Sequence, residues 1–335
     1  MKALVIGYGS IGRRHAANLT KLGHEVVLLR HAPGTATNVQ FREYYDFEQV
    51  FKIEQPQLAV VASPTPQHAS DAIRLIERGV PFLLEKPPAL NLESTLALET
   101  AIGASRFGRY DIAFNLRYYP PLRFIKEYLP ELGQVFSMRV AAGYFLPAWR
   151  PGMDYRQTTS AKKELGGGVH IELVHELDYL LWFMGMPTRV VAQVGTVGKL
   201  EISSADMCTA MLLYPNGSNV ELHLDYLSHK NLRGCQIIAE RGTLEWNFSE
   251  KRVCLFEPGQ AKAKTLFTLS EDYDFNQTYL EELQHLIQVA EGKSPPAVDM
   301  AHGVRVMRLL DAIIESSASE KWIRISENNQ TGNVT

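Results

Sequence analysis

The chain has 335 residues, which is long for a single hydrophobic core and favours two domains. A hydrophobic content of 45% and a charged content of 21% are typical of a globular protein, and a net charge of −3 gives no electrostatic reason to expect nucleic acid or an anionic membrane as a partner. No apolar run reaches the roughly 18 residues of a membrane-spanning helix. The first residues also lack the apolar segment and cleavage site of a signal peptide, so we expect a cytoplasmic protein.

An apolar run at the start of the chain leads directly into a glycine-rich turn. Residues 3–7 predict a strand that is buried on both faces, and residues 11–22 predict a helix. Between them, three glycines have the G-x-G-x-x-G spacing of a dinucleotide-binding turn, in which the helix N-terminus holds phosphate. We therefore predict a cofactor site at Gly7, Gly9, Ser10, Ile11 and Gly12. The alternative is a glycine-rich turn in another kind of α/β protein.

The end of the second predicted strand, residues 25–29, bears on the choice of cofactor. NAD sites usually place Asp or Glu at this point, where the carboxylate accepts a hydrogen bond from the ribose 2′-hydroxyl. Here Arg30 and His31 follow the strand. A guanidinium suits a 2′-phosphate, so NADP is favoured over NAD. The alternative is that Arg30 stacks on the adenine and either cofactor binds.

Two later loops contain prolines and follow predicted parallel strands. The carboxyl ends of such strands are where open α/β sheets bind ligands. We therefore assign to the cofactor the following residues of these loops: Ser63, Pro64, His68, Glu85 and Lys86. Two prolines follow Lys86, which we expect to point to the position of the nicotinamide. The alternative for Lys86 is a surface charge paired with Glu85.

From residue 133 the pattern changes to strands that follow one another without intervening helices. Such a series implies a mostly antiparallel sheet. The predicted fold class is therefore an α/β Rossmann domain followed by an α+β domain with a large, open sheet. The predicted division is a Rossmann domain over 1–117, a substrate-binding and oligomerisation domain over 118–325, and a disordered tail over 326–335.

Three cysteines lie in the predicted strands of the second half. Cys208, Cys235 and Cys254 are far apart and odd in number. They fit neither a disulfide framework nor a zinc site, so we predict buried reduced thiols and no metal.

Residues 166–185 predict a helix that begins at three consecutive glycines. At roughly 100° per residue its polar side chains fall in one arc, with Asp178 at the margin: Glu172, His175, Glu176 and Tyr179. Glu172 and His175 are therefore expected one turn apart on one face, where they can exchange a proton. His170 falls on the apolar side and is expected to pack or to cap the helix. The glycines allow the start of the helix to approach something closely; the alternative is an ordinary surface helix.

Together these motifs resemble the glucose–fructose oxidoreductase/inositol dehydrogenase/MocA (Gfo/Idh/MocA) family over about residues 1–325. The motifs that carry the resemblance are, in order, Gly7 to Gly12, Glu85-Lys86-Pro87, Asn115 to Pro120 and the helix from Gly166 to Asp178. The resemblance implies a Rossmann domain, an open sheet used for dimer or tetramer contacts, and the oxidation or reduction of sugars, cyclitols or related molecules with NAD(P). It also implies that Lys86 is the catalytic lysine and His175 the acid/base histidine, with Glu172 standing where an aspartate is usual.

Five residues are assigned to the substrate: Arg117, Trp149, Arg150, Asp178 and Tyr179. Arg117 holds the substrate or the cofactor end of the cleft, and Trp149-Arg150 brings a loop over the sugar. Arg150 suggests an acidic or phosphorylated substrate, although a surface arginine is the alternative. Residues 144–152 and 174–179 also resemble a branch found with surface-polysaccharide and acidic-sugar genes.

The predicted function is hydride transfer between NAD(P) and a hydroxyl or keto carbon of a sugar, sugar derivative or cyclitol. An imidazole suits the role of base because it titrates near neutral pH, so His175 removes the hydroxyl proton. Lys86 stabilises the reacting oxygen, and Glu172 orients His175 or relays its proton. The expected partners are a sugar-type molecule and further copies of the chain, as a homodimer or homotetramer. Two alternatives are a non-enzymatic dinucleotide-binding regulator and a glycosidase or epimerase that uses tightly bound NAD transiently.

Overall fold

The computed structural model describes residues 1–31 and 40–326, and their contacts divide the chain into two units. Unit 1 comprises Met1–Tyr119 and Asp274–Val304, and unit 2 comprises Pro120–Tyr273 and the chain from Arg305 onward. This differs from the predicted division into 1–117 and 118–325, because residues 274–304 return to unit 1. Of the predicted tail, all but Ser326 lies outside the described residues. None of the helices within the described residues is both long and apolar enough to cross a bilayer.

The strands of the described residues are β1 (Lys2–Ile6), β2 (Glu25–Leu29), β3 (Arg42–Tyr44), β4 (Leu58–Val61), β5 (Phe82–Leu84), β6 (Tyr110–Ile112), β7 (Val135–Gly143), β8 (Arg189–Gly195), β9 (Met207–Leu213), β10 (Asn219–Asp225), β11 (Leu232–Ala239), β12 (Gly242–Asn247), β13 (Arg252–Phe256), β14 (Lys264–Thr268) and β15 (Ile323–Arg324). The helices are α1 (Ser10–Lys21), α2 (Phe47–Glu54), α3 (His68–Glu77), α4 (Leu92–Ser105), α5 (Pro120–Tyr128), α6 (Leu146–Trp149), α7 (Val169–Glu172), α8 (His175–Met184), α9 (Gln277–Ala290) and α10 (Met300–Ser319). The short strands β3 and β14 are absent from the sequence prediction.

Unit 1 is built on a parallel sheet with the strand order β3-β2-β1-β4-β5-β6. The first strand lies in the middle, between β2 and β4, and its residues from Ala3 to Ile6 are completely buried. This confirms the predicted strand and the Rossmann fold. The strand order reverses between β1 and β4, and in open parallel sheets such a switch point is where ligands bind.

Helix α9 accounts for the return of residues 274–304 to unit 1. Its Leu283 and Leu286 are completely buried in the same core as Val5 of β1 and Leu19 of α1. A side-chain hydrogen bond of 2.8 Å from Asn115 to Thr278 adds a polar contact. The burial of this apolar helix face, which the sequence pattern could not assign to a partner, stabilises unit 1.

Unit 2 contains a mixed sheet with the order β14-β13-β12-β11-β7-β10-β9-β8-β15. All neighbours are antiparallel except β7 and β10, which confirms the predicted, mostly antiparallel sheet. Side chains alternate between a buried and an open face: in β9, Cys208, Ala210 and Leu212 are buried, whereas Thr209 and Met211 are exposed. Helix α8 packs within this unit, where the Tyr179 ring meets Trp246 edge to face at 6.1 Å.

The cysteines are free thiols, as predicted. Cys208 and Cys235 are buried and Cys254 is half-buried. Burial raises the pKa of both Cys208 and Cys235 to about 12, so these thiols are protonated and unreactive near neutral pH.

Candidate active site

The glycine-rich turn between β1 and α1 is packed so tightly that only glycine fits at two positions. Gly7 has φ +91°, and a Cβ there would lie 2.4 Å from the carbonyl oxygen of Ala62. A Cβ on Gly12 would lie 2.1 Å from the carbonyl oxygen of Gly7. Gly9 and Ser10 are exposed, and Gly9, the N-cap residue of α1, has no side chain with which to cap the first turn. This turn therefore fits the pyrophosphate of a dinucleotide, which would accept from the N–H groups at the helix start.

Arg30, the residue that favoured NADP, lies against a carboxylate. Its Nη1 is 2.8 Å from Oε1 of Glu43, and both side chains are largely buried. Glu43 lies on β3, which pairs in parallel with β2. The next residue, His31, has its Nε2 3.4 Å from Oδ2 of Asp71. A ligand at the end of β2 would therefore meet both the Arg30 guanidinium and the Glu43 carboxylate that neutralises its charge.

The loop after β4 is held by hydrogen bonds within unit 1. The hydroxyl of Ser63 donates to Asp71 at 2.7 Å, while Pro64 is exposed. The His68 ring is buried between two backbone carbonyls, with Nδ1 2.8 Å from Pro87 O and Nε2 2.9 Å from Ser63 O. Burial lowers the pKa of His68. Both ring nitrogens face protein atoms, so His68, which is a predicted cofactor contact, joins the loop after β4 to the loop after β5.

The turn that carries Lys86 is fixed by a buried hydrogen-bonded pair. His15 of α1 is completely buried, and its Nε2 lies 2.7 Å from Oε1 of Glu85. The other carboxylate oxygen of Glu85 accepts from the backbone N–H of Lys86 at 3.2 Å. Burial raises the pKa of Glu85, but the hydrogen bond and charge of His15 outweigh it and hold that pKa below its usual value. The peptide bond between Lys86 and Pro87 is cis, and the Lys86 side chain is half-buried.

Arg117 follows β6 in a short 3-10 turn, Asn115–Tyr118. Its Nη2 lies 2.9 Å from Nε2 of His302 in α10. A guanidinium only donates, so the His302 nitrogen facing it must be the acceptor. Arg117 is therefore held by unit 1 at the end of its last strand.

The predicted continuous helix over 166–185 is wrong in one respect, because it is broken after four residues. Helix α7 ends at Glu172, and α8 begins at His175. At the break the hydrogen-bond pattern tightens: the N–H of Glu176 donates to Leu173 O at 3.1 Å. The 100° rotation per residue therefore does not carry across from Glu172 to His175. Glu172 and His175 are both half-buried. The other polar residues of the predicted arc are buried: Glu176, Asp178 and Tyr179.

The middle one of the three glycines at the start of α7 approaches protein backbone. A Cβ on Gly167 would lie 2.2 Å from the carbonyl oxygen of Thr159. The same segment supplies Ser160, whose hydroxyl donates to Oε1 of Glu172 at 2.8 Å. The absence of a side chain at Gly167 therefore lets the segment with Thr159 and Ser160 pack against the start of α7, where Ser160 holds Glu172 in place.

His170 and Tyr226 surround the same helix start. His170 is 9% exposed and packed, as predicted, and burial lowers its pKa to about 4. Burial, and then the charge of Glu172, raises the pKa of Tyr226 well above its usual value, while Arg150 acts in the opposite direction. These influences place Glu172, Arg150 and the Tyr226 hydroxyl in one neighbourhood of unit 2.

Asp178 and Tyr179, which are predicted substrate contacts, lie in the interior of unit 2. Both side chains are 0% exposed. Nearly all sides of helix α8 are buried. The polar arc that helical periodicity predicts therefore lies in the interior of unit 2. Glu176 is likewise buried, and its Oε1 pairs with Nε of Arg233 at 2.7 Å.

Sequence reasoning missed several polar residues of this region: His15, Glu43, Ser160, Tyr226 and His302. One signal was available for the first of them. In α1 the buried residues Gly12, His15, Ala16 and Leu19 follow the spacing of the core-facing stripe, so a histidine in that stripe requires a polar partner. Glu43 had no such signal, because β3 has only three residues.

Comparison with known proteins identifies the class. A model described as an oxidoreductase family's NAD-binding Rossmann fold matches residues 1–106, and a model of the same family's C-terminal alpha/beta domain matches residues 126–325. The protein is therefore an oxidoreductase with an NAD(P)-binding Rossmann domain. It belongs to the Gfo/Idh/MocA family, as its motifs predicted.

Several relatives of the chain are dehydrogenases named for a sugar or a cyclitol. Myo-inositol 2-dehydrogenase of Thermotoga maritima is 24% identical, over 98% of this chain and 99% of the relative. The solved structure of a levoglucosan dehydrogenase with NADH and L-sorbose has a TM-score of 0.84 at 20% identity, covering 98% of this chain and 99% of that one. The WlbA dehydrogenase from Bordetella pertussis, with NADH and UDP-GlcNAcA, has a TM-score of 0.81 at 19% identity, covering 97% and 99%. These structures share the fold.

Proposed function

We propose that the protein transfers hydride between NAD(P) and a hydroxyl or keto carbon of a sugar, sugar derivative or cyclitol. The observation that carries the proposal is the fixed position of Lys86, whose backbone N–H is bound by a carboxylate that is itself paired with buried His15. A buried polar pair is costly to desolvate, so its use behind a single lysine favours a chemical role for that lysine. The names of the relatives support the same reaction class.

The glycine-rich turn from Gly7 to Gly12 would hold the dinucleotide, whose nicotinamide would supply or accept the hydride. The Lys86 ammonium hydrogen-bonds the reacting oxygen and stabilises its alkoxide character. His175 removes or returns the hydroxyl proton. Glu172, held by Ser160, orients His175 or relays its proton.

We propose that the preference for NADP is smaller than Arg30 alone predicts. The cofactor turn fits either dinucleotide, and Glu43 neutralises Arg30. A 2′-phosphate would compete with Glu43 for the guanidinium, whereas a 2′-hydroxyl would find a carboxylate acceptor nearby. Removing the carboxylate with Glu43→Gln is expected to raise the ratio of kcat/KM for NADP over NAD. An unchanged ratio would remove Glu43 from cofactor selection.

The experiment that tests the function is a hydride-transfer assay with both cofactors and a panel of hexoses, uronates, deoxysugars and inositols. We expect at least one compound to give stoichiometric formation or loss of reduced cofactor. A non-enzymatic regulator would bind dinucleotide and turn over nothing. A glycosidase or epimerase would retain its cofactor on purification and convert the sugar with no net change in reduced cofactor.

We also propose that copies of the chain assemble through the open face of the unit 2 sheet. That face presents Val191, Met211 and Ile238 as exposed or half-exposed apolar side chains between polar ones. A monomeric mass by light scattering at micromolar protein would refute this assembly.

A further inference from the structure

We propose that Arg150 forms a subsite in unit 2 for an anionic group of the substrate, a carboxylate or a phosphate carried on the sugar. The inference deepens the proposed function, on which it rests, by naming the class of substrate as an acidic sugar. Four stacked side chains carry it: Arg233, Tyr144, Trp149 and Arg150.

The stack has an arginine at each end. Tyr144 and Trp149 lie parallel in the middle, with centroids 5.6 Å apart and an interplanar angle of 6°. The Arg233 guanidinium lies 5.7 Å from the Tyr144 ring, and the Arg150 guanidinium lies 5.5 Å from the Trp149 ring. A guanidinium within about 6 Å of a ring centroid is attracted by the ring and keeps its N–H groups for an acceptor.

The two ends differ in their counter-charge. Arg233 is paired with the buried carboxylate of Glu176 at 2.7 Å. Arg150 is half-buried, yet within the described residues no carboxylate forms an ion pair with it. Arg156, six positions later in the same loop, has its Nε 2.9 Å from Oδ1 and its Nη2 2.9 Å from Oδ2 of Asp154. Of these three arginines, Arg150 is the one whose charge is left for a ligand.

Arg150 lies at a small open cleft. Together with Leu146, Trp149, Met153, Tyr155 and Thr158 it lines a cleft with a volume of about 10 Å³. That is room for about one water-sized group, so the cleft takes the anionic group and the rest of the sugar stays outside it. Tyr155 adds a second aromatic ring to this lining, and Thr158 is buried at the wall. Arg150 also acts on the buried Tyr226 hydroxyl, which lies near Glu172.

The chemistry selects an anion over a neutral hydroxyl. Carboxylates and phosphates accept two parallel N–H bonds from a guanidinium, and such charge-assisted pairs are about twice as strong as neutral hydrogen bonds. A neutral sugar would leave a half-buried guanidinium without a counter-charge. The structure therefore favours uronates or sugar phosphates over neutral sugars.

The test measures binding and turnover separately, with the full chain. Calorimetric titration in the presence of NADH uses a panel of hexuronates and hexose 6-phosphates, each matched to the neutral hexose of the same stereochemistry. We expect at least one anionic sugar to bind about tenfold or more tightly than its neutral counterpart. Comparison of uronates with phosphates identifies which anion the subsite takes.

Three variants locate the effect. Arg150→Gln is expected to abolish the advantage of the anionic sugar, and Arg150→Lys to restore part of it, because the charge returns without the two-pronged geometry. Arg156→Gln is the matched control and is expected to leave the advantage unchanged. Thermal unfolding of each variant confirms that it is folded.

Every outcome decides the proposal. Equal binding of anionic and neutral sugars, an anionic advantage that survives Arg150→Gln, or no binding of any anionic sugar would overturn the subsite. Anionic sugars that bind through Arg150 but exchange no hydride would refute the proposed function and leave the subsite standing. Turnover of neutral sugars, with no tighter binding of anionic ones, would refute the subsite and leave the proposed function standing.

Discussion

The turn that carries Lys86 in unit 1 and the loop that carries Arg150 in unit 2 are held by different kinds of contact. Lys86 is anchored through Glu85 to the completely buried His15. The loop from 145 to 165 is a series of helical turns of three or four residues, and Met153 within it is 56% exposed. Buried, paired polar groups define one geometry, whereas short exposed turns are the segments that open at lowest free energy.

The contrast matches the tasks that we propose for the two regions. An amine that stabilises an alkoxide must be placed to within a fraction of an ångström, which requires a rigid support. A loop that selects among sugars benefits from turns that can adjust without disturbing the sheet beneath them. The predictions below test whether the two regions differ in this way.

The largest expected effect is the loss of the Lys86 amine. Lys86→Ala is expected to lower turnover by about two to four orders of magnitude, which is about 3 to 5.5 kcal/mol of transition-state free energy, because the alkoxide loses its donor. Cofactor affinity, measured by fluorescence titration, is expected to be largely kept. Lys21→Ala, at an exposed lysine of α1, is the control. Turnover that survives Lys86→Ala would show that the assigned role is wrong.

The next effect concerns the support of the turn. Glu85→Leu is expected to lower the free energy of unfolding by about 3 to 5 kcal/mol, because it leaves His15 buried without its partner. Glu282 provides the control: its carboxyl is 1% exposed, neither oxygen has a hydrogen-bond partner in the described part of the chain, and burial raises its pKa well above the usual value. Glu282→Leu removes only a neutral group and is expected to cost little or to stabilise. Similar losses in urea unfolding for both variants would contradict the anchoring role of Glu85.

A smaller effect is expected from pH, through His170 in unit 2. Its pKa of about 4 lies below the ordinary histidine value of 6.5, so the folded state binds fewer protons than the unfolded state between these values. Stability from this group is therefore present above pH 6.5 and is lost as the pH falls toward 4, by about 3 kcal/mol in all. His170→Asn is expected to flatten the pH dependence of the unfolding free energy by that amount. An unchanged slope would place the acid sensitivity elsewhere.

The smallest effect concerns the charge of Glu172. Glu172→Gln retains an oxygen that accepts from Ser160 but removes the charge, so we expect kcat to fall about tenfold, or about 1.4 kcal/mol, with a change in the pH profile of kcat. Glu164→Gln, at an exposed residue of the same segment, is expected to leave kcat unchanged. If the pH profile of Glu172→Gln equals that of the unaltered enzyme, Glu172 has only a structural role.

Local features of the sequence were enough to predict the family, the glycine-rich turn and the position of Lys86. Gly7 and Gly12 are required by steric contacts within one turn, and alternation along β9 to β13 reports directly which face is buried. These features depend on residues that are close together in the sequence, so the sequence pattern is enough to predict them.

Other features depended on the tertiary structure. His15 and Glu85 are 70 positions apart, and Glu43 meets Arg30 through a strand too short to predict. The break between α7 and α8 and the burial of Asp178 arise from packing inside unit 2. Helical periodicity predicts the direction in which a side chain points, but it does not predict which residues the side chain contacts. The partner of a buried charge is therefore decided by long-range packing, since burial makes an unpaired charge too costly to keep.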